Sequence, residues 1–222
     1  NNKKIRINIS CNILKGVFVL RKIILFFICF LFFITSCERF VKIENSEQAF
    51  DYIKSLKNYI SDVKITFKND RGEGSFYLKQ YSNVDSIYRM DLEGDRSYIY
   101  KDDKIHVKDI KNTTEYSVDE KFDEVYKYCF LNEYIKLIYS MDEVIYFKES
   151  IYEGENEKVI YGARVNIPTN NLNIKYAILY LDGEKHIPIK LEIFDSKNNE
   201  RVLIEYITFE ILQEIDNNVF NH

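Results

Sequence analysis

Histidines, cysteines and paired acids are what a catalytic or metal centre would be built from, and in this chain they are scattered. His106, His186 and His222 fall in separate segments. None stands in an H-E-x-x-H pattern or beside cysteines at ligand spacing, so neither catalytic nor structural zinc is expected. Cys129 lies on an apolar stripe with no histidine near it in sequence, the setting of a buried structural thiol. There is no G-x-S-x-G elbow and no phosphate-binding loop; Gly72-x-Gly74 reads as a hairpin turn. Asp102-Asp103 and the acids of Glu153–Glu157 could attract calcium, but D-x-D-x-D-G spacing is absent and turn carboxylates are ordinarily solvated. Glycosidase chemistry would need a buried carboxylate pair with shifted pKa values, and sequence alone does not display burial. The expectation is a non-enzymatic protein with no catalytic residue, no metal and no diffusible cofactor.

Tyrosine and phenylalanine, 18 and 16 in the chain, offer a different chemistry. Alternating with polar residues on strands, they build a core. A curved sheet rich in Tyr also presents an aromatic binding face, because Tyr joins apolar area to a hydroxyl. The pattern leaves both readings open.

The cysteine with the most distinctive setting is Cys37. Arg21 and Lys22 precede an uncharged apolar run from Ile23 to Ile34, and Thr35-Ser36 stand before the cysteine. That run is too short to span a bilayer comfortably as a helix, which takes about 20 residues. Its basic front and small-residue exit are those of an export signal. Ile34-Thr35-Ser36-Cys37 resembles the lipobox of bacterial lipoproteins. The resemblance implies cleavage between Ser36 and Cys37, and a diacylglyceryl group on Cys37 that holds the protein to the extracytoplasmic face of a membrane. Two acyl chains suit such an anchor, because burial is worth ~0.8 kcal/mol per methylene, so one chain binds reversibly while two give lasting attachment. The competing reading is an uncleaved anchor with Cys37 at its outer edge.

Residues 1–20 precede the signal's charged region and read as a mis-assigned upstream extension, with initiation near Val19 or Leu20. Residues 21–36 are then the signal, 37–44 a tether, and 45–222 one domain of ordinary size. Removing residues 1–36 takes away six of the 31 cations and none of the 35 carboxylates, leaving a balance near −10. An acidic body argues against nucleic acid and against lying flat on anionic lipid, while leaving a cationic protein partner open. With Cys37 acylated, Cys129 has no disulfide partner, so stability rests on packing. The absence of Trp and the abundance of Ile, Lys, Asn and Tyr suit an AT-rich genome such as those of low-GC Gram-positive bacteria.

The elements follow from periodicity. Asn45 or Ser46 can cap a helix, with Gln48 placed for a reciprocal bond, and Phe50, Ile53, Leu56 and Ile60 define one apolar face of about four turns. The period switches to two at Val63-Ile65-Phe67, and the turn Asn69–Gly74 follows. Short strands are then expected at Ser75–Tyr81, Ser86–Leu92, Arg96–Lys101, Lys104–Ile110 and Thr114–Val118, joined by hairpin-length connectors into a meander. Over 119–141, Phe122, Val125, Tyr126 and Cys129 share one helical stripe and Leu131, Ile135 and Ile138 a displaced one. This predicts either a helix irregular near Asn132 or two short helices. Strands resume at Val144–Ser150, Lys158–Val165, Ile174–Leu181, Ile187–Phe194 and Val202–Ile211. In the last, Val202, Ile204 and Tyr206 take one face and Leu203, Ile207 and Phe209 partly the other, predicting a strand covered on both sides.

This order resembles the LolA-like lipoproteins: α+β, mainly antiparallel, an open half-barrel with helices over its concave face. The most specific local match is Tyr180-Leu181-Asp182 followed by Pro188-x-Lys190-x-Glu192-x-x-Asp195. The proline fits at a strand's start, where no ladder donor is needed. Two features depart from the pattern: the turn Asp195–Arg201 has no glycine, and His186 stands where threonine is common. Within the fold, the chain is most similar to clostridial germination lipoproteins of the GerS kind. That resemblance implies a non-enzymatic protein on the forespore or spore membrane. Such a protein binds and activates a zinc-dependent N-acetylmuramoyl-L-alanine amidase, which modifies cortex peptidoglycan for germination. Alternatives are a carrier of lipid or lipoprotein in the half-barrel, a sensor contacting a membrane regulator, and an enzyme on cell-wall glycans. An internal start predicts that a digest of the native protein contains no peptide from residues 3–15; recovering one would refute it.

Overall fold

The computed structural model describes residues 43–123, 125–154 and 156–221; the expected upstream extension, signal and Ser36-Cys37 cleavage pair, most of the expected tether, Glu124, Glu155 and His222 lie outside them. Helix α1 (Ser46–Ser55) starts where Asn45 accepts a hydrogen bond from the Gln48 N–H at 2.9 Å. The Gln48 side chain reaches back to the Glu44 N–H, one residue before the cap. Ala49, Phe50 and Ile53 are fully buried on its inner face.

The helix is shorter than the periodicity predicts. It ends at Ser55, whose hydroxyl donates to the Tyr52 carbonyl, and Leu56 is already extended. Ile60 belongs to strand β1 (Asn58–Asn69). The buried residues of β1 are Tyr59, Ser61, Val63, Ile65 and Thr66, so the two-residue period begins at Tyr59, four residues earlier than the apolar pattern suggests. The buried polar Ser61 hides it.

One antiparallel sheet of 12 strands follows. The first meander continues with β2 (Gly72–Ser82), β3 (Tyr88–Leu92), β4 (Arg96–Lys101), β5 (Lys104–Asp109) and β6 (Thr114–Asp119). The second comprises β7 (Val144–Glu153), β8 (Asn156–Asn166), β9 (Tyr176–Asp182), β10 (Pro188–Phe194) and β11 (Glu200–Tyr206). Pairing of β1 with β11, Val63 opposite Tyr206, fuses the two into one surface whose outer strands are β6 and β7. The fold is the expected α+β class, one mainly antiparallel open sheet with two helices.

The last predicted strand is broken. Between Tyr206 and Glu210 there are three residues, while the paired stretch of β1 from Ile60 to Val63 holds two. The extra residue makes a bulge. The Ile207 and Thr208 N–H groups both point at the Asp62 carbonyl, and the Thr208 hydroxyl bonds the Asp62 carboxylate. Past the bulge, β12 (Glu210–Leu212) pairs β1 again. Phe209 is thereby returned to the inner face, stacked on Tyr59 at 4.7 Å, and Ile207 is left exposed. The expected covering of both faces is replaced by this shift of register.

Residues 119–141 are interrupted as expected, with the break at Phe130, close to Asn132. Short 3₁₀ turns at Glu120–Phe122 and Tyr126–Cys129 precede helix α2 (Leu131–Ser140), with extended backbone at Phe130 between them. Phe122 points to solvent, whereas Cys129 is fully buried. Phe130 has no side chain able to cap α2, so the sheet supplies the cap. The Tyr59 hydroxyl accepts from the Leu131 N–H at 2.8 Å, and the Tyr206 hydroxyl donates to the Cys129 carbonyl at 3.0 Å. The Tyr134 hydroxyl is shared between the Ala163 and Ala177 carbonyls. These bonds fix the central segment to the inner face of the sheet.

The motif residues are structural. Lys190 pairs with Glu192 across the Tyr180 ring, and Tyr180 donates to Glu192 at 3.0 Å. Asp195 replaces the missing turn glycine, accepting from the Lys197 and Asn199 N–H groups and from Arg201, while Asn198 takes the left-handed conformation. His186 also has positive φ, and its ring lies between Tyr161 and Tyr52 at 6.2 and 6.1 Å.

Tyr59→Phe keeps the ring stacking but orphans the Leu131 N–H. It should cost about 1–3 kcal/mol in denaturant unfolding, and an unchanged midpoint would contradict the capping role. Burial alone would raise the Asp195 carboxyl, but the Asn199 side-chain and backbone donors, Arg201 and the Lys197 N–H hold it well below the usual carboxylate range. A depressed carboxylate stabilises above the unfolded value, about 4, and loses that contribution as pH falls. Asp195→Asn should therefore destabilise at pH 7 by an amount that shrinks toward pH 3. A pH-independent difference would be inconsistent with the bonding described.

Candidate functional site

The two helices do not cover the sheet evenly. α1 packs on β7 and β8, and α2 also contacts β8. Over the other half the inward coverage stops at Phe130, which stacks on Tyr88 at 4.8 Å and meets Tyr100 edge-on at 5.2 Å. Beyond it the inner face of β2–β6 is an open groove of about 490 Å³.

The groove is built by strand alternation. Leu78, Met90, Tyr98, Val107 and Tyr116 are in register across β2 to β6 or adjacent to it, and Tyr100, Ile105 and Val118 form a neighbouring row. Met90, Tyr100, Ile105 and Val107 form a buried floor. The rim is exposed: Phe76 is 44% accessible, Tyr116 48%, Tyr126 41% and Phe122 83%. Phe67 supports one side, 5.5 Å from Tyr126 and 6.3 Å from Phe76. Two polar groups mark the ends. Asp123 accepts from the Tyr100 hydroxyl at 2.8 Å and from the Val125 and Tyr126 N–H groups. Arg96 bonds Asp109 at 3.3 Å.

Such a site can desolvate an apolar ligand surface and orient it by a few polar groups. Its volume falls in the range of ligand pockets, roughly 300–1,000 Å³. Burial pushes the Tyr100 hydroxyl well up, aided by Asp123, so it remains a neutral donor. A second cleft of about 320 Å³ lies beside α1 and α2, lined by Lys54, Lys57 and Lys136. It is more polar, and Lys136 is already paired with Glu133.

The sequence-derived candidates do not converge. Cys37 and Ser36 lie outside the described residues. Cys129 is buried and its thiol is pushed well up, by burial first and then by Asp123, as for an inert structural cysteine. His106 bonds Ser117 on β6 at 2.9 Å, far along the sheet order from the His186 turn. Asp102 and Asp103 occupy the left-handed positions of the β4–β5 turn. Among the described residues no group of three His, Cys, Asp or Glu is placed to hold a metal. Glu120 is raised above the ordinary carboxylate value, by burial and then by Glu133. The groove's aromatic rim was foreseeable as a type but not residue by residue, because alternation alone does not say where the helices stop.

Comparison with known proteins places the chain in a family. The family pattern described as "Sporulation protein YdcC-like" matches residues 19–220. No curated protein matches the chain. Among solved structures, an uncharacterized conserved protein from Thermus thermophilus is similar at TM-score 0.50 and 7% identity, over 79% of this chain and 93% of that one. A LolA superfamily protein from Nitrosomonas europaea is similar at TM-score 0.40 and 9% identity, over 81% and 99%. The complex of the CwlD amidase with the GerS lipoprotein from Clostridioides difficile contains a chain similar at TM-score 0.37 and 14% identity, over 79% and 97%.

Because Phe122 packs against little, Phe122→Ser should change stability by less than about 0.5 kcal/mol while weakening fluorescence enhancement of an apolar reporter dye. Unchanged dye binding would show that the groove is not the accessible apolar surface.

Proposed function

Since the chain belongs to the YdcC-like family of sporulation proteins, we propose that it is a non-enzymatic, membrane-anchored binding protein of spore formation. Its open aromatic groove receives an apolar surface of a protein partner. The observation that carries this reading is the inner face of β2–β6, left uncovered by the described residues and rimmed by Phe76, Tyr116, Phe122 and Tyr126. Exposed apolar patches mark interaction sites. Tyr and Arg are also the residues enriched where binding energy concentrates.

A diacylglyceryl group on Cys37 supplies the anchor, on the extracytoplasmic side of the forespore or spore membrane. The partner is a cell-wall amidase of the zinc-dependent N-acetylmuramoyl-L-alanine class, the identity implied by the sequence resemblance. Preferential binding to the active, metal-competent conformation would shift the amidase population toward it. By linkage, zinc would tighten the association and the association would tighten zinc. The metal and the catalysis belong to the partner.

The test is capture of the full tagged chain from sporulating cells, with mass spectrometry of proteins and lipids. The expected result is an amidase at near-equal amount, lost in a Phe122→Ser, Tyr126→Ser double variant that still folds. Bound lipid without a protein partner would replace this reading by a carrier. Retention of nothing would overturn both.

A further inference from the structure

The two outer edges of the sheet are treated differently. On β7 the Phe147 carbonyl accepts from the Ser46 hydroxyl at the start of α1, so a helix end occupies one acceptor of that strand. Strand β6 has no neighbour on its outer side among the described residues. An uncovered edge exposes a row of N–H and C=O groups able to pair with another chain.

The two faces of β6 specify what would pair there. Inward, Tyr116 and Val118 continue the rows of Val107 and Ile105 and form the outer wall of the groove. Outward, Glu115, Ser117 and Asp119 stand opposite Lys108, His106 and Lys104. The outward row of Asp62, Lys79, Asp91, Ser97, Lys108 and Glu115 runs in register across β1 to β6. Charge alternates along it, interrupted by Ser97, and it ends on a carboxylate. Over residues 114–123, Glu115, Asp119, Glu120 and Asp123 outnumber the single cation Lys121.

From this we infer that β6 is a strand-addition site for an extended partner segment alternating apolar with basic residues. Its apolar side chains enter the groove beside Tyr116 and Val118. Its Lys or Arg side chains lie on the outer face beside Glu115 and Asp119, continuing the charge ladder. Main-chain bonds supply affinity and the alternate side chains supply selectivity, as in other edge-strand recognition. The inference deepens the proposed function and rests on it for the groove being a protein-binding surface.

A ten-residue peptide alternating Val and Lys serves as probe, with a peptide of the same composition in Val and Lys blocks as control. Both are added to the full chain in lipid nanodiscs, followed by fluorescence anisotropy and amide hydrogen exchange. The alternating peptide should slow exchange at β6 amides. It should bind at least tenfold more tightly than the block peptide, and at least tenfold less tightly to Tyr116→Lys or Glu115→Lys. Both substitutions fall at exposed edge positions. No binding, equal binding of the two peptides, or binding without β6 protection would overturn the inference. If partner capture depends on Phe122 while β6 exchange is unaltered in the captured complex, strand addition fails and the groove reading stands. If β6 is protected by the peptide but no partner is captured, the function fails and the edge site stands.

Discussion

The structure depends on a break in the chain at Phe130, satisfied by two tyrosines from the sheet. A helix start leaves donors unpaired, and burying them costs free energy. Phe130 cannot cap α2, so Tyr59 on β1 accepts from Leu131, and Tyr206 on β11 donates to Cys129. These strands are neighbours at the seam between the meanders. The same pair of hydroxyls therefore caps a helix, fixes the central segment on the sheet and ties it to the junction of both halves. Burial holds both hydroxyls far above their ordinary pKa, so the bonds do not depend on pH in the physiological range.

That placement decides what is left uncovered. With the segment pinned over the seam, α2 runs over β8 and α1 follows onto β7 and β8. Phe130 becomes the edge of the helical layer, stacked on Tyr88 and edge-on to Tyr100. Among the described residues, no α-helix meets the apolar rows on the inner face of β2–β6. The groove is the part of the core surface that the described residues leave open.

Much of this was legible in residue order. Arg96–Lys101 is found as predicted, and the neighbouring strands differ by a few residues at their ends. Alternation and short connectors dictate an antiparallel meander whatever its partners. What escaped was hidden by polar residues in apolar positions and by non-local pairing. Ser61 disguised the start of β1, and Asp62 organised a bulge with Thr208 that no single strand pattern reveals. Asp195 and Asn198 did the work of a turn glycine by side-chain bonding and a left-handed residue. The groove escaped for a different reason: Tyr98, Tyr116 and Tyr126 read like core residues until the extent of helix coverage is known.

The central claim is that the uncovered aromatic groove holds a protein partner. Replacing Phe122 by a photoreactive phenylalanine analogue and irradiating sporulating cells tests it most directly, with a second variant at Tyr77 reporting on the opposite face of the sheet. The account predicts that the groove position crosslinks to a cell-wall amidase and that Tyr77 does not. Crosslinking of the amidase from Tyr77 alone, or of lipid alone from Phe122, would contradict it.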